Sequence, residues 1–384
     1  MYDVIIIGGG LVGASTAYIL AKRNLSILLI EQFEPPHDRG SSHGDGRMIR
    51  YDYGEALYVE MAARAYEAWE VLGERVGEPV LKRTGICNFG PTDSPELADV
   101  ERSMCAFGLP TERLTAAQSN TRFPQYRIET GSDAVYQKDG GVLFADQAVL
   151  ALWRCAREDG VKTVTGTRIR EIAVQPNGVT VQDETGREWR GERLVLASGA
   201  WSGGWMEQLG LCLPLEVTQE QVVYFPTHDD RNHRVGVMPN CIDYHTSQPF
   251  YCLPQVRVPG VKVGWHHTGP VVDPDNRLAM SDENLKAVQD FVRSRCPHLD
   301  PNPIKRVDCL YTNTPDFHFI LDRHPQHAHI IVAAGFSGHG FKFGPVLGEL
   351  LTALLFGEKP FVDLKTFSIT RFDGSNPLER RTTA

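Results

Sequence analysis

Apolar positions in this chain fall into two kinds of run, and the change from one to the other divides the sequence. Val4 to Ile7 and Ile27 to Ile30 are short and unbroken, as expected of parallel strands buried on both faces. Between them Leu11 to Arg23 reads as a helix, with small Ala14 and Ser15 turned inward. Much later, "IAVQPNGVTVQDETGREW" alternates instead, and Asn177-Gly178 and Thr185-Gly186 mark two hairpin turns. That small meander feeds another buried run, Leu194 to Ala197, and then the turn "SGAWS". "RTGICNFGPTDSPEL", and the stretch from "VTQEQVVYFP" to "VKVGWHHTGP", are strand-rich with proline and glycine punctuation, the pattern of an antiparallel sheet. "FILDRHP" and "HIIVAAGFSGHGFKFGPVLGELLTALLFG" return to a buried strand, a glycine loop and an amphipathic helix.

The pattern predicts a mixed α/β fold in two interleaved parts. A Rossmann-like domain takes residues 1–77, 141–212 and 309–384, and an antiparallel, substrate-facing domain takes 78–140 and 213–308. A length of 384 residues agrees with two domains. The last dozen residues, polar and basic, are expected to fray. No internal repeat or low-complexity tract interrupts the pattern.

Composition narrows the classes of partner. With 42% hydrophobic and 23% charged residues the chain is an ordinary globular one. A formal charge of -9 argues against nucleic acid or an anionic membrane, while leaving room for a local basic pocket that takes an anionic small molecule. No apolar run reaches the roughly 18 residues of a membrane span. "MYDVIIIGGG" lacks the basic and cleavage regions of a signal peptide, and "RRTTA" is not a peroxisomal tripeptide. The eight cysteines form no C-x-x-C pair, which gives zinc and dithiol readings little support. A reducing cytoplasm is the expected compartment.

Candidate chemistry begins at Gly8, Gly10 and Gly13, spaced G-x-G-x-x-G directly after the first strand. The first glycine permits a tight turn, the second a close approach to a pyrophosphate, and the third close packing of the helix on the sheet. Glu31 ends the second strand, where a carboxylate accepts hydrogen bonds from ribose hydroxyls. Strand, glycines, helix, strand and acid in order make this a dinucleotide site, and Glu31 favours FAD or NAD over NADP. The meander returning to a second glycine turn favours FAD. "GFSGHG" fails as a nucleophile elbow because His339 stands where G-x-S-x-G needs glycine. It reads better as a loop whose backbone N–H groups face the carbonyl side of a flavin ring. "HPQHAH" (324–329) and His266-His267 lack a matching carboxylate or cysteine, so no metal is expected, and each reads as a solvated loop.

Four stretches, "GSSHGDGRMIR" (40–50), "KVGWHH" (262–267), "CLYTNTPDFHFILDRHP" (309–325) and "GFSGHGFKF" (335–343), together resemble the family of monomeric sarcosine oxidase, N-methyltryptophan oxidase and L-pipecolate oxidase. The likeness runs from Tyr2 to about Phe372. It implies a p-hydroxybenzoate-hydroxylase-like architecture and an FAD enzyme that oxidises the C–N bond of a small secondary amino acid to an imine. The acceptor is dioxygen, which becomes hydrogen peroxide.

Site residues follow from the same resemblance. Arg50 and Lys342 match a clamp on the substrate carboxylate, an arginine fork beside a lysine point charge. Lys262 matches the lysine credited with activating oxygen, and a fixed ammonium there stabilises developing negative charge. His43 and Arg47 match residues beside the flavin ring and are expected to bring positive charge to it. Tyr251 and His266 match side chains that shape the pocket and bias amine protonation, with Tyr311 and Thr312 lining it. Cys309 falls where the family tethers the flavin through its 8α carbon, with Arg47 and His43 favouring the thiolate. Further cofactor contacts are expected from Ser41 and Ser42, from Ile169, Gly199 and Trp201, and from Gly338, Gly340 and Phe341. Gly46 departs from relatives that carry a side chain in "HGD-x-R", which is expected to loosen the approach to the flavin.

Substrate choice stays open between sarcosine or another N-methyl amino acid and a cyclic imino acid such as L-pipecolate. "RGSSHG", "YTNTPD" and "FILDRHP" lean toward the pipecolate branch, while the compact length fits bacterial sarcosine-type enzymes. A different class, a flavin dehydrogenase that passes electrons to a carrier, would have no need of Lys262. The family's expectation for assembly is a monomer.

Overall fold

The computed structural model describes residues 1–372; the frayed end expected for the last dozen lies outside the described residues. Strand Tyr2–Ile7 pairs in parallel with Ile27–Ile30 on one side and Glu188–Leu196 on the other. Both faces of this centre are covered, which is why its apolar residues run unbroken. Val4 and Ile6 join a core with the helices Leu11–Leu20, Ala145–Glu158 and Gly344–Phe356, whereas Ile5 and Ile7 join a second core with Val181, Trp189 and Met206.

The meander and the following buried run, read separately in the sequence, share one strand. The first half of Glu188–Leu196 pairs antiparallel with Gly178–Asp183, and its second half pairs in parallel with Ile330–Ala334. The hairpin Ile169–Gln175 to Gly178–Asp183 therefore extends the nucleotide-type sheet rather than standing apart from it.

A second eight-stranded sheet begins at Lys305–Asn313 and continues through Glu216–Phe225, Val261–Trp265 and Phe250–Leu253. Its cross-strand pairs assign the faces, because directly opposed residues point the same way. Pairs Glu220↔Cys309, Thr218↔Tyr311, Tyr224↔Lys262 and Tyr251↔Gly264 put Cys309, Tyr311, Lys262, Tyr251 and Glu220 on one face. The opposite face, with Val223, Phe225, Cys252 and Val263, packs on Val288 and Phe291 of helix Asp282–Arg295. The expected junction at Cys309 is corrected here. Cys309 lies in the middle of Lys305–Asn313, which pairs with Glu216–Phe225 along its whole length, so it belongs to the second sheet rather than following it.

A three-stranded ribbon of Arg47–Ile49, Gly141–Leu143 and Leu81–Arg83 links the two sheets and fixes the loop that precedes Arg47. No helix among the described residues is long and apolar enough to cross a membrane.

Among the described glycines, packing is tightest at the turn after the first strand. Gly8 has φ +98°, and a Cβ on Gly13 would stand 1.8 Å from the Gly8 carbonyl oxygen. Gly13→Val is therefore expected to push the helix off the sheet, costing about 1–3 kcal/mol of stability and lowering the flavin content of purified protein. Urea unfolding and the flavin-to-protein absorbance ratio check both effects.

Candidate functional site

A cavity of about 1960 Å³ is lined by residues of both large sheets and of loop 36–48. Ordinary small-molecule pockets measure about 300–1,000 Å³, so this one has room for a large cofactor and a substrate together. Apart from Gly13, which packs behind the turn, every residue expected at the site lines it.

The nucleotide end fits FAD by its own geometry. Helix Leu11–Leu20 starts at Gly10, which has no side chain to cap it, and carries no acid in its first turn, leaving N–H donors beyond Leu11 and the positive end of the dipole for an anion. The Glu31 carboxylate is buried and accepts from the backbone N–H of Gly9 at 2.6 Å and of Phe33 at 3.0 Å. Trp153 closes the same turn by donating Nε1–H to the Gly9 carbonyl at 2.8 Å. At the other end His43 Nε2 is buried without a partner, a polar atom pointing to an absent ligand.

Loop 41–47 sits against the edge strand that carries Cys309. The Ser41 hydroxyl donates to the Leu310 carbonyl, and Ser42 Oγ accepts from Leu11 N–H at 3.0 Å. Arg47 is folded back on its own loop, donating to the carbonyls of His43 at 2.5 Å and of Ser41 and Gly46 at 3.1 Å each. Asp45, which the sequence reading did not single out, accepts from the backbone N–H of Arg257 and of Val258 at 2.9 Å each, pinning loop to sheet. Gly338, at φ +77°, packs against the Tyr311 ring, where a Cβ would come within 2.3 Å.

The two expected carboxylate-binding cations are both buried. Arg50 Nη1 lies 3.3 Å from Asp52 Oδ2, its guanidinium stands 4.4 Å from the Tyr53 ring centre, and Asn88 donates to Asp52 from behind. Lys342 Nζ donates to Tyr53 Oη at 2.7 Å and to the His339 carbonyl at 2.8 Å. Tyr53 Oη in turn lies 3.2 Å from His339 Nδ1. Burial, with Arg50 nearby, pushes the Lys342 ammonium well below the ordinary lysine range. Sequence reasoning missed Asp52, Tyr53 and His339 as partners. The available signal was an acid two residues and a tyrosine three residues after Arg50, and a histidine three residues before Lys342.

Lys262, which also lines the cavity, is buried and donates to the Gly46 carbonyl at 2.9 Å. Its ammonium is also held well below the lysine range, by burial first and Arg47 second. Tyr251, His266 and Tyr311 open into the cavity but are otherwise closely surrounded by protein. Desolvation raises both phenols and lowers the imidazole. His266 Nδ1 lies 3.2 Å from Tyr311 Oη, so a neutral imidazole faces a neutral phenol.

Four expectations change. His43 brings no positive charge, because burial, Arg47 and Lys262 push its pKa down to about 3; Arg47 alone carries the charge there. The Cys309 thiol is raised by burial, and the cations opposing that rise are Arg47 and Lys262, not His43. His266 and His267 form no solvated loop; their rings lie 4.0 Å apart, tilted at 58°, beside Tyr311. In "HPQHAH", His324 is buried with Nε2 3.0 Å from the Leu209 carbonyl oxygen.

A histidine whose folded pKa lies below its unfolded one takes up its proton first in the unfolded chain. The stability it gives is present above the ordinary 6.5 and is lost as pH falls toward the folded values of about 3 for His43 and about 4 for His267. Urea midpoints are expected to fall between pH 7 and about 4.5, and His43→Gln to lessen that fall.

Residues 3–354 match the family model described as DAO, FAD dependent oxidoreductase. The chain is 36% identical over 378 residues to peroxisomal sarcosine oxidase of Mus musculus, covering 97% of this chain and 96% of that one. It is 32% identical over 386 residues to monomeric sarcosine oxidase of Bacillus sp. (strain B-0618), covering 99% of each. Its fold is similar to that of NikD, an unusual amino acid oxidase essential for nikkomycin biosynthesis, with a TM-score of 0.85 and 22% identity over 96% of this chain and 97% of that one.

Proposed function

The chain belongs to the family of FAD-dependent oxidoreductases, and from that premise we propose that it oxidises the C–N bond of a small secondary amino acid, sarcosine or another N-methyl amino acid, with dioxygen as acceptor. One observation carries the reading. Two buried cations, Arg50 and Lys342, share a cavity with an FAD-fitting turn and with a third buried cation, Lys262.

The residues that would hold FAD are Gly8, Gly10 and Glu31 at the nucleotide, Ser42, His43 and Arg47 along the loop, and the backbone of 338–341 at the ring. The chemistry FAD supplies when bound is to accept two electrons from the substrate and return them to dioxygen. Arg50 and Lys342 bind the substrate carboxylate and fix the amine by its other end. Arg50 keeps its charge through Asp52, whereas the depressed Lys342 regains its proton as a carboxylate arrives. His266 and Tyr311, both neutral, leave the amine without a cationic neighbour on their side and so favour its unprotonated, oxidisable form. Lys262 faces the negative charge that develops on oxygen. The flavin is tethered through Cys309, and the enzyme acts as a cytoplasmic monomer.

A substrate panel tests the reading. Peroxide release is expected with sarcosine or an N-methyl amino acid; peroxide only with proline or pipecolate would move the substrate to the cyclic class. Dye reduction with no peroxide from any of them would mark a dehydrogenase. After acid precipitation the yellow colour is expected to stay with the protein, and to leave it in Cys309→Ala. Lys262→Met is expected to slow flavin reoxidation about a hundredfold with a far smaller effect on reduction. Stopped-flow absorbance separates the two half-reactions, and equal slowing would remove Lys262 from its assigned role.

A further inference from the structure

Glu220 is a buried carboxylate for which the reaction above has no use. It lies 2% exposed and makes no ion pair among the described residues. Oε1 accepts from the Thr218 hydroxyl at 2.7 Å, and Oε2 from the backbone N–H groups of Thr268 and Gly269 at 3.1 and 3.0 Å. A carboxylate offers about four lone-pair positions. Three are taken, and one on Oε1 remains open.

Its place in the sheet gives the open position a purpose. Glu220 is directly paired with Cys309 between strands Glu216–Phe225 and Lys305–Asn313, so both side chains leave the same face. Directly opposed Cβ atoms stand about 4.5–5.5 Å apart. Cys309 must lose its proton before its sulfur can act as a nucleophile, yet burial keeps the thiol protonated. Of the groups around the pair, Arg47 is a cation that stabilises a thiolate but cannot take its proton, and Lys262, which burial leaves poised between ammonium and amine, is held by the Gly46 carbonyl at 2.9 Å. Tyr251 and Tyr311 are phenols that burial keeps protonated. Asp308 is occupied by Arg277 at 2.8 Å and by Gln219 at 3.2 Å. Glu220 is the carboxylate base that the strand register sets directly opposite the thiol.

We propose that Glu220 takes the proton of Cys309 when the flavin tether forms. The inference rests on the tether assigned above to Cys309. In the overall step a sulfur–carbon bond forms at the 8α methyl carbon, and the S–H bond and one C–H bond break. The thiol proton passes to Glu220, and the methyl proton leaves to solvent. The electron pair of the C–H bond passes into the flavin, and dioxygen removes it. The balance is thiol, methyl group and dioxygen giving thioether and hydrogen peroxide. Burial raises the carboxyl of Glu220 above its ordinary range, which suits it to hold a proton once the thiolate has formed beside Arg47 and Lys262.

The test uses the full chain produced in riboflavin-starved cells and then given FAD. Non-covalent uptake is followed by flavin fluorescence quenching, and covalent uptake by flavin retained in acid-precipitated protein. Glu220→Gln is expected to slow covalent uptake about a hundredfold while leaving non-covalent uptake nearly unchanged. Glu220→Asp is expected to recover much of the rate. Raising the pH from about 7 to about 9 is expected to speed the Gln variant far more than the wild type, as solvent base replaces the lost carboxylate. A Gln variant that tethers at the wild-type rate overturns the proposal. So does one that loses covalent and non-covalent uptake together, which would make Glu220 only an anchor for the Thr268–Gly269 turn. Should the Gln variant not fold, Glu220→Ala decides instead: an unchanged covalent rate refutes the role, and a slowed one with normal non-covalent uptake supports it. If the wild type acquires no acid-stable flavin, the tether itself is wrong and this role goes with it; that outcome is distinct from a tethered wild type with an equally fast variant.

Discussion

Holding three cations out of water is the constraint on which the rest of this structure depends. Arg50, Lys262 and Lys342 are each about 5% exposed or less, and an unpaired buried charge costs several kcal/mol. The three are compensated differently. Arg50 faces a carboxylate, Asp52, which Asn88 backs. Among the described residues Lys342 meets neutral acceptors, a phenol and a backbone carbonyl, and Lys262 meets one carbonyl, that of Gly46. Arg50 is therefore charged at every working pH, whereas the lysines are poised to gain or lose protons as anions come and go. A site whose charge is completed by its own ligands binds them in one orientation.

Most of the compensating groups come from one short piece of chain. Gly46, Asp52 and Tyr53 lie within eight residues, on either side of the ribbon strand Arg47–Ile49. The same piece reaches the nucleotide helix through Ser42 and the edge strand through Ser41. Asp45 fastens it to the loop after Leu253. The nucleotide turn, the Arg50–Lys342 pair and Lys262 thus share a single support, and a shift of that support would be felt by all three.

The parts legible in the sequence were those governed by local rules. Unbroken apolar runs, glycine spacing and the acid at Glu31 mark the nucleotide unit because each reflects the backbone of its own segment. The meander and the strand beside Leu194 were legible singly, but not their union, since nothing in a sequence says that one strand changes partners midway. Charge states were the least legible. His43 stands beside two cations brought in from Arg47 and the distant Lys262, and their joint effect reverses the charge that its position suggested. Asp52 and Tyr53 follow Arg50 so closely that they look like ordinary loop residues, and only the fold turns them toward Arg50 and Lys342. Glu220 could not be tied to Cys309 without the strand register, because 88 residues separate them. A slip of one residue would have put them on opposite faces.

Gly46 shows how such a reading can invert. The absence of a side chain was expected to loosen the approach to the flavin. In the fold a Cβ at this position would meet Val142 Cγ1 at 3.0 Å and Leu253 Cδ2 at 3.5 Å. Loop and sheet therefore approach closely here, and that approach leaves the Gly46 carbonyl 2.9 Å from Lys262 Nζ. A larger residue would have to push the loop away from Val142 and Leu253, lengthening the one hydrogen bond that holds the lysine. The same movement would carry Arg47, whose guanidinium donates to the Gly46 carbonyl, away from Cys309 and Lys262. Glycine at this position thus tightens the wall around Lys262, and the room it leaves is taken by the protein rather than by substrate.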